Sequence, residues 1–309
     1  MPIEIAAHAG FCMGVRRAVE SAVQVADSGV PSCTLGELIH NPTVVDMLRQ
    51  RGIPPVASAE EAAGRQVLIR SHGVAPEVIR QLENAGCKVV DLTCPFVNKL
   101  HRVVAEDTGE DCPLIMVGER EHPEVKGTCG WARGKVYVVA TAEEAAQLPE
   151  MDQAAAAVQT TFPPERWEAI VAVLRGRVQH LKEHNTICNA TAVRQREAKK
   201  LAAASDAMIV VGGRTSANTH KLFEACKALC PRTILVECAA EIPPAFANIH
   251  SDKIGITAGA STPDGSLEEV ATHMTDNENM AQSSDFTMDA IVATMTRIKA
   301  GQTVAGKVV

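Results

Sequence analysis

The chain has 309 residues, 46% of them apolar, 22% charged and 3% aromatic, with a net charge of −7 when the histidines are neutral. That length suits two or three domains, and the mixture excludes global disorder. Few aromatics, Tyr137 being the single tyrosine, and an acidic balance argue against a nucleic-acid platform but leave room for a local basic pocket.

No run approaches the roughly 18 apolar residues that span a bilayer. The N-terminus, Met1-Pro2-Ile3-Glu4-Ile5, is not a signal peptide, because no basic stretch precedes an apolar one. A cytoplasmic chain is expected, with its 10 cysteines reduced, catalytic or metal-bound.

Short apolar runs ending in polar or small residues alternate with alanine-rich helical patterns. Val67–Arg70 predicts a strand ending at Ser71-His72-Gly73. Leu114–Val117 predicts one ending at Gly118, Met208–Val211 one ending at Gly212-Gly213, and Ile254–Thr257 one ending at Ala258-Gly259. Helices are predicted over Gln195–Ala204 and His220–Leu229. This alternation implies α/β architecture with parallel sheets and a site at the carboxyl ends of the strands. Asp276–Asp285 reads as a polar linker. A helical pattern over Met288–Ile298 follows, and Gly301–Val309 resembles the opening strand of another domain.

Three cysteines recur in similar contexts: Gly10-Phe11-Cys12-Met13-Gly14, Leu92-Thr93-Cys94-Pro95 and Thr186-Ile187-Cys188-Asn189. Cys12 to His40, Cys94 to His122 and Cys188 to Ser216 are each 28 residues. Gly36-Glu37-Leu38-Ile39-His40 also parallels Gly118-Glu119-Arg120-Glu121-His122. Each unit then supplies a further polar strand end at His72, Thr160-Thr161 or Ser261. The chain therefore divides into three α/β units of about 90 residues, each with one such cysteine. Packing about a pseudo-threefold axis would bring the three thiols together.

Dispersed thiolates suit an iron–sulfur cluster better than zinc, which usually recruits paired cysteines from one loop. Three thiolates on a [4Fe–4S] cube leave one iron open to a substrate oxygen. His40, His72, His122, Ser216, Asn218 and Ser261 offer donors for phosphate or diphosphate. Glu124, two residues after His122, is a candidate proton relay, with Thr160 or Thr161 positioning it or a substrate hydroxyl. Neither a P-loop nor a Gly-x-Gly-x-x-Gly fingerprint is present. The bland readings are buried cysteines, solvated loop histidines and a surface carboxylate; the shared spacing weighs against them. Cys33, Cys87, Cys112, Cys129, Cys226, Cys230 and Cys238 read as core residues.

The ordered motifs His8–Val15, Leu35–Pro42, Ile69–Gly73, Asp91–Pro95, His122–Val125, Gln159–Thr161, Asn185–Thr191, Ser216–Asn218 and Thr257–Asp264 resemble the 4-hydroxy-3-methylbut-2-enyl diphosphate reductase (IspH/LytB) family, over residues 1–275. The resemblance implies a cloverleaf of three α/β domains, 13–95, 96–189 and 1–12 plus 190–275, around a [4Fe–4S] cluster. Cys12, Cys94 and Cys188 match its ligands. His40, His72, His122, Ser216, Ala217, Asn218 and Ser261 match the diphosphate-binding positions, and His122, Glu124 and Thr160 the catalytic ones. Many members have a second serine where Ala217 stands, so one hydroxyl contact is absent here.

The implied reaction removes the substrate hydroxyl as water with two electrons and two protons. It gives isopentenyl and dimethylallyl diphosphate, with flavodoxin or ferredoxin as electron donor. Residues 276–309 would be a linker and the start of a truncated S1-like RNA-binding domain. Rival readings are quinolinate synthase, an iron–sulfur sensor regulating an RNA-binding module, and a zinc-binding structural protein.

Overall fold

The structure is a computed structural model that describes residues 3–247 and 253–284. Three four-stranded sheets, parallel throughout, organise it. The strands are β1 (Ile3–Ile5), β2 (Ser32–Leu35), β3 (Pro55–Val56), β4 (Gln66–Ile69), β5 (Lys88–Asp91) and β6 (Leu114–Val117). They continue with β7 (Val136–Val139), β8 (Met151–Val158), β9 (Val178–His184), β10 (Ala207–Val211), β11 (Thr233–Val236) and β12 (Ile254–Ala258).

The sheets repeat one order. The first runs β5-β4-β2-β3, the second β9-β8-β6-β7 and the third β1-β12-β10-β11. The edge strand β1, from the N-terminal end of the chain, occupies in the third sheet the place held by β5 and β9 in the others. The expected α/β fold of three similar units is therefore present. All four predicted strands form, as β4, β6, β10 and β12. Each is buried along its whole length, which is why they read as continuous apolar runs rather than alternating ones.

Two kinds of helix start bear on the site. Asn41, Ser58, Thr141 and Ser216 cap helices through side-chain oxygens, as usual. Cys12, Cys94 and Cys188 occupy the same N-cap position with no side-chain cap bond. The predicted Gln195–Ala204 segment lies mostly within a longer helix, Asn189–Ala203. The predicted His220–Leu229 helix begins earlier, at Ala217, because Ser216 caps it.

The polar stretch from 276 is helical as far as Ser284, because one helix runs from Asp264 to Ser284. That stretch contains no Gly or Pro, and Glu278, Met280, Ala281 and Gln282 are helix formers; polarity alone does not end a helix. The expected helix 288–298 and strand 301–309 lie outside the described residues.

Polar contacts tie the sheets in a ring. Asn41 Nδ2 donates to the Ser261 carbonyl at 3.0 Å, linking the first sheet's loops to the third's. Trp131 Nε1 donates to the Val74 carbonyl at 3.0 Å, linking second to first. Lys221 Nζ lies 2.6 Å from Glu119 Oε1, linking third to second by an ion pair without the alignment of a hydrogen bond.

Below the Trp131 tie, His101 stacks on the indole with ring centroids 5.1 Å apart and is buried. Gly73, at φ +70°, lets the His72 loop pass against this imidazole; a Cβ there would collide with His101 Cε1. Gly73→Ala combines left-handed strain with overpacking and should cost roughly 2–4 kcal/mol in chemical denaturation. An unchanged midpoint would contradict this packing.

Burial lowers the His101 pKa to about 4. Between that value and the unfolded value of about 6.5, the unfolded chain binds the extra proton, so folding stability falls as pH falls. Lowering the pH from 7 to 4 should remove up to about 3 kcal/mol through this group. The acid loss in denaturation midpoint should therefore be smaller in His101→Phe, and equal losses would refute the assignment.

Candidate active site

Parallel strands deliver their carboxyl ends to one side of a sheet, and nine of the twelve ends here converge on one cavity of about 110 Å³. Each sheet contributes three loops in the same pattern. The loops after β1, β5 and β9 carry Cys12, Cys94 and Cys188. Those after β2, β6 and β10 carry His40, His122 and Ser216. Those after β4, β8 and β12 carry His72, Thr160 and Ser261. All nine side chains line the cavity, together with Asn218 and Glu124. The structure thus gathers the thiol, histidine, serine, threonine, Asn218 and Glu124 side chains singled out in the sequence around one cavity, and Ala217 begins the helix after Ser216.

The thiols are held equivalently. The Cys12 amide donates to the Ala260 carbonyl at 3.1 Å, Cys94 to Ser71 at 3.0 Å and Cys188 to Thr160 at 2.8 Å. Each cysteine is thereby anchored to the loop of the neighbouring strand in its own sheet. Burial pushes the Cys94 and Cys188 thiols up, but backbone N–H groups of the helices they cap oppose it: Phe96 and Val97 for Cys94, Ala190 and Thr191 for Cys188. Three helix N-termini therefore point positive ends at one spot, favouring a buried anionic group. A Cβ on Gly14 would lie 2.5 Å from Cys94 Sγ, so the Cys12 helix (Met13–Asp27) packs directly on the second thiol.

Among the described residues no three His, Cys, Asp or Glu donors stand close enough to chelate a single metal ion. Three separated thiols around a shared space, each capping a helix, instead fit a polynuclear thiolate-bound group. Arg194 completes this end. Its buried guanidinium donates to the carbonyls of His8 and of Ala258, the latter at 3.1 Å, pinning the β1 loop to the end of β12.

The histidine end of the cavity is a triangle of imidazoles. Ring centroids are 4.8 Å apart for His40–His72, 5.5 Å for His72–His122 and 6.4 Å for His40–His122. Burial, reinforced by the neighbouring rings, drives the His72 pKa well below its ordinary value, and burial holds His122 at about 4. Both are neutral at pH 7. His122 Nδ1 accepts from the Glu124 amide at 3.2 Å, which leaves Nε2 as the protonated, donating nitrogen. His72 Nδ1 and Asn218 Nδ2 are buried without protein partners. Orphaned polar groups lining a cavity imply a ligand that satisfies them.

Glu124 is 2% exposed. Its Oε1 accepts from the Thr160 amide at 2.6 Å and its Oε2 from the Thr160 hydroxyl at 2.7 Å. Burial raises its pKa, while the two Thr160 bonds act in the opposite direction. Such a carboxyl, hydrogen-bonded to a hydroxyl at the cavity wall, can hold and pass a proton.

Sequence reasoning missed Arg194 and the capping role of the cysteines. The signal for the latter is faint: Cys stands at three helix starts where Ser, Thr, Asp or Asn is usual, and the sequence patterns predict no helix beginning at any of them.

The LytB protein family profile matches residues 3–275. The chain is 44% identical over 271 residues to the 4-hydroxy-3-methylbut-2-enyl diphosphate reductase of Geobacter sp. (strain M21), covering 87% of this chain and 95% of that protein. It is 42% identical over 277 residues to the reductase of the same name from Aquifex aeolicus (strain VF5), covering 88% and 95%. A solved structure of (E)-4-hydroxy-3-methyl-but-2-enyl diphosphate reductase, described as the terminal enzyme of the non-mevalonate pathway, superposes with a TM-score of 0.69 at 40% identity, covering 89% of this chain and 100% of that one. The Plasmodium falciparum E-1-hydroxy-2-methyl-but-2-enyl-4-diphosphate reductase superposes at 0.79 with 25% identity, covering 88% and 87%. On fold, site and sequence together, the chain belongs to the LytB protein family.

Proposed function

We propose that the chain is a reductase that removes the hydroxyl of 4-hydroxy-3-methylbut-2-enyl diphosphate. Two electrons and two protons release water and give isopentenyl or dimethylallyl diphosphate. The observation that carries this reading is the cavity itself, lined by three helix-capping thiols, a ring of hydrogen-bond donors and a buried carboxyl. When bound to Cys12, Cys94 and Cys188, a [4Fe–4S] cluster supplies electrons and an open iron for the substrate hydroxyl.

The protein's own groups do the rest. Nε2–H of His122, the Asn218 amide and the hydroxyls of Ser216 and Ser261 donate to diphosphate oxygens, with His40 and His72 completing the ring. Neutral donors bind an anion without the desolvation cost of burying further charge. Ala217 offers no hydroxyl, so there only its backbone N–H, at a helix N-terminus, would donate. Glu124 holds one proton and delivers it through the Thr160 hydroxyl to the departing oxygen, which leaves as water. The second proton ends on carbon.

The three sheets with their helices are read as domains 13–95, 96–189 and 1–12 plus 190–275. Electrons would come from a flavodoxin or ferredoxin. The residues directly after the three thiols, Met13, Pro95 and Asn189, are exposed, and the three cysteine-capped helices carry no acidic residue in their first turns. That face suits a small acidic carrier. No helix among the described residues is long and apolar enough to cross a membrane.

Glu124→Gln keeps the shape and the Thr160 contact but cannot cycle a proton. In anaerobically reconstituted protein it should retain iron and bind substrate, while turnover with a chemical reductant falls at least about 100-fold. Turnover near that of the unaltered protein would remove Glu124 from the proton path.

A further inference from the structure

The histidine end of the cavity poses a charge problem. A diphosphate carries several negative charges at neutral pH, yet His72 and His122 are neutral there. Arg194 lines the cavity but spends its guanidinium on two carbonyls, and Lys221 is paired with Glu119. Three helix ends favour negative charge at the thiols, and the helix capped by Ser216 brings only a partial positive charge to the diphosphate. Something else must offset the anion.

Arg70 has the required features. It directly follows β4, two residues before His72, and its side chain crosses toward the end of the neighbouring strand β2. Gly36, in the loop after β2, sits at φ +69°, and a Cβ there would lie 2.9 Å from Arg70 Nη1. The glycine therefore makes room for the guanidinium. Arg70 Nε is buried with no hydrogen-bond partner, and none of the ion pairs among the described residues involves this side chain. Burial alone lowers its pKa, with no carboxylate acting against it. Its charge reaches both His72 and His122 and disfavours protonation of each.

A partly buried cation without a counter-ion is costly in the empty protein, and an arriving anion repays that cost. We propose that Arg70 is the fixed positive charge of the diphosphate end, acting from behind the histidine ring to attract the anion. Arg70 is thus a positioning residue rather than a catalytic one. The proposal rests on the diphosphate reading given above.

The test measures binding of inorganic diphosphate to anaerobically reconstituted protein by titration calorimetry, at low and high ionic strength. Arg70→Gln should weaken the Kd about tenfold at low salt, equivalent to about 1.4 kcal/mol. Arg70→Lys, which keeps the charge but not the fork, should return it to within about threefold of the unaltered protein. The gap between the unaltered protein and the Arg70→Gln variant should narrow at about 1 M salt, where the screening length falls to about 3 Å. Equal affinity of Arg70→Gln and the unaltered protein overturns the proposal while leaving the diphosphate reading intact. Equal weakening by Arg70→Gln and Arg70→Lys, independent of salt, also overturns it, because that pattern marks a structural role. Absence of diphosphate binding in the unaltered protein overturns the reading and the proposal together.

Discussion

A parallel sheet gathers all its strand ends on one side, and here three such sheets turn those sides toward one another. No single sheet holds a complete site. Each provides one thiol and two polar donors, so the cavity exists only while all three remain docked. The Asn41–Ser261, Trp131–Val74 and Lys221–Glu119 contacts close the ring at three points. Because the thiols cap helices, the same docking aims three sets of unsatisfied backbone N–H groups at one spot. A buried anionic group is compatible with that spot, and a cation without thiolates is not.

The two ends of the cavity solve opposite electrostatic problems. At the thiol end, helix termini offset negative charge on sulfur. At the imidazole end, burial keeps His72 and His122 uncharged, so that they donate hydrogen bonds without bringing mutual repulsion into a space where their centroids are only 5.5 Å apart. Glu124 lies between these regimes. Thr160 holds both of its oxygens, which fixes the carboxyl's place and limits how far burial raises its pKa.

Much of this was legible in the sequence because the chain repeats itself. The equal spacings from Cys12, Cys94 and Cys188 to His40, His122 and Ser216 reflect three copies of one strand–helix–strand path, and the strand orders of the sheets match accordingly. What the sequence hid has physical causes. The helix after Cys188 starts at Asn189 although Thr191 and Val193 are weak helix formers, because its N-terminus is fixed by the Cys188–Thr160 backbone bond. Arg194 looked like one more cation on a polar helix; only the approach of β1 and β12 shows that it is buried. Arg70 looked like the end of a strand, and its lack of a carboxylate partner is a fact of three dimensions. The 276–284 segment is polar yet helical, because helices end at Gly, Pro or C-caps rather than at polarity alone.

The central claim is that Cys12, Cys94 and Cys188 together hold one iron–sulfur cluster whose remaining iron meets the substrate. Mössbauer spectra of anaerobically reconstituted, iron-57-labelled protein, with and without 4-hydroxy-3-methylbut-2-enyl diphosphate, test it most directly. The account predicts a four-iron cluster with one iron distinct from the rest, and a change in that iron's signal when substrate is added. A cluster whose irons are all alike and indifferent to substrate, or no cluster under strict anaerobic handling, would contradict it.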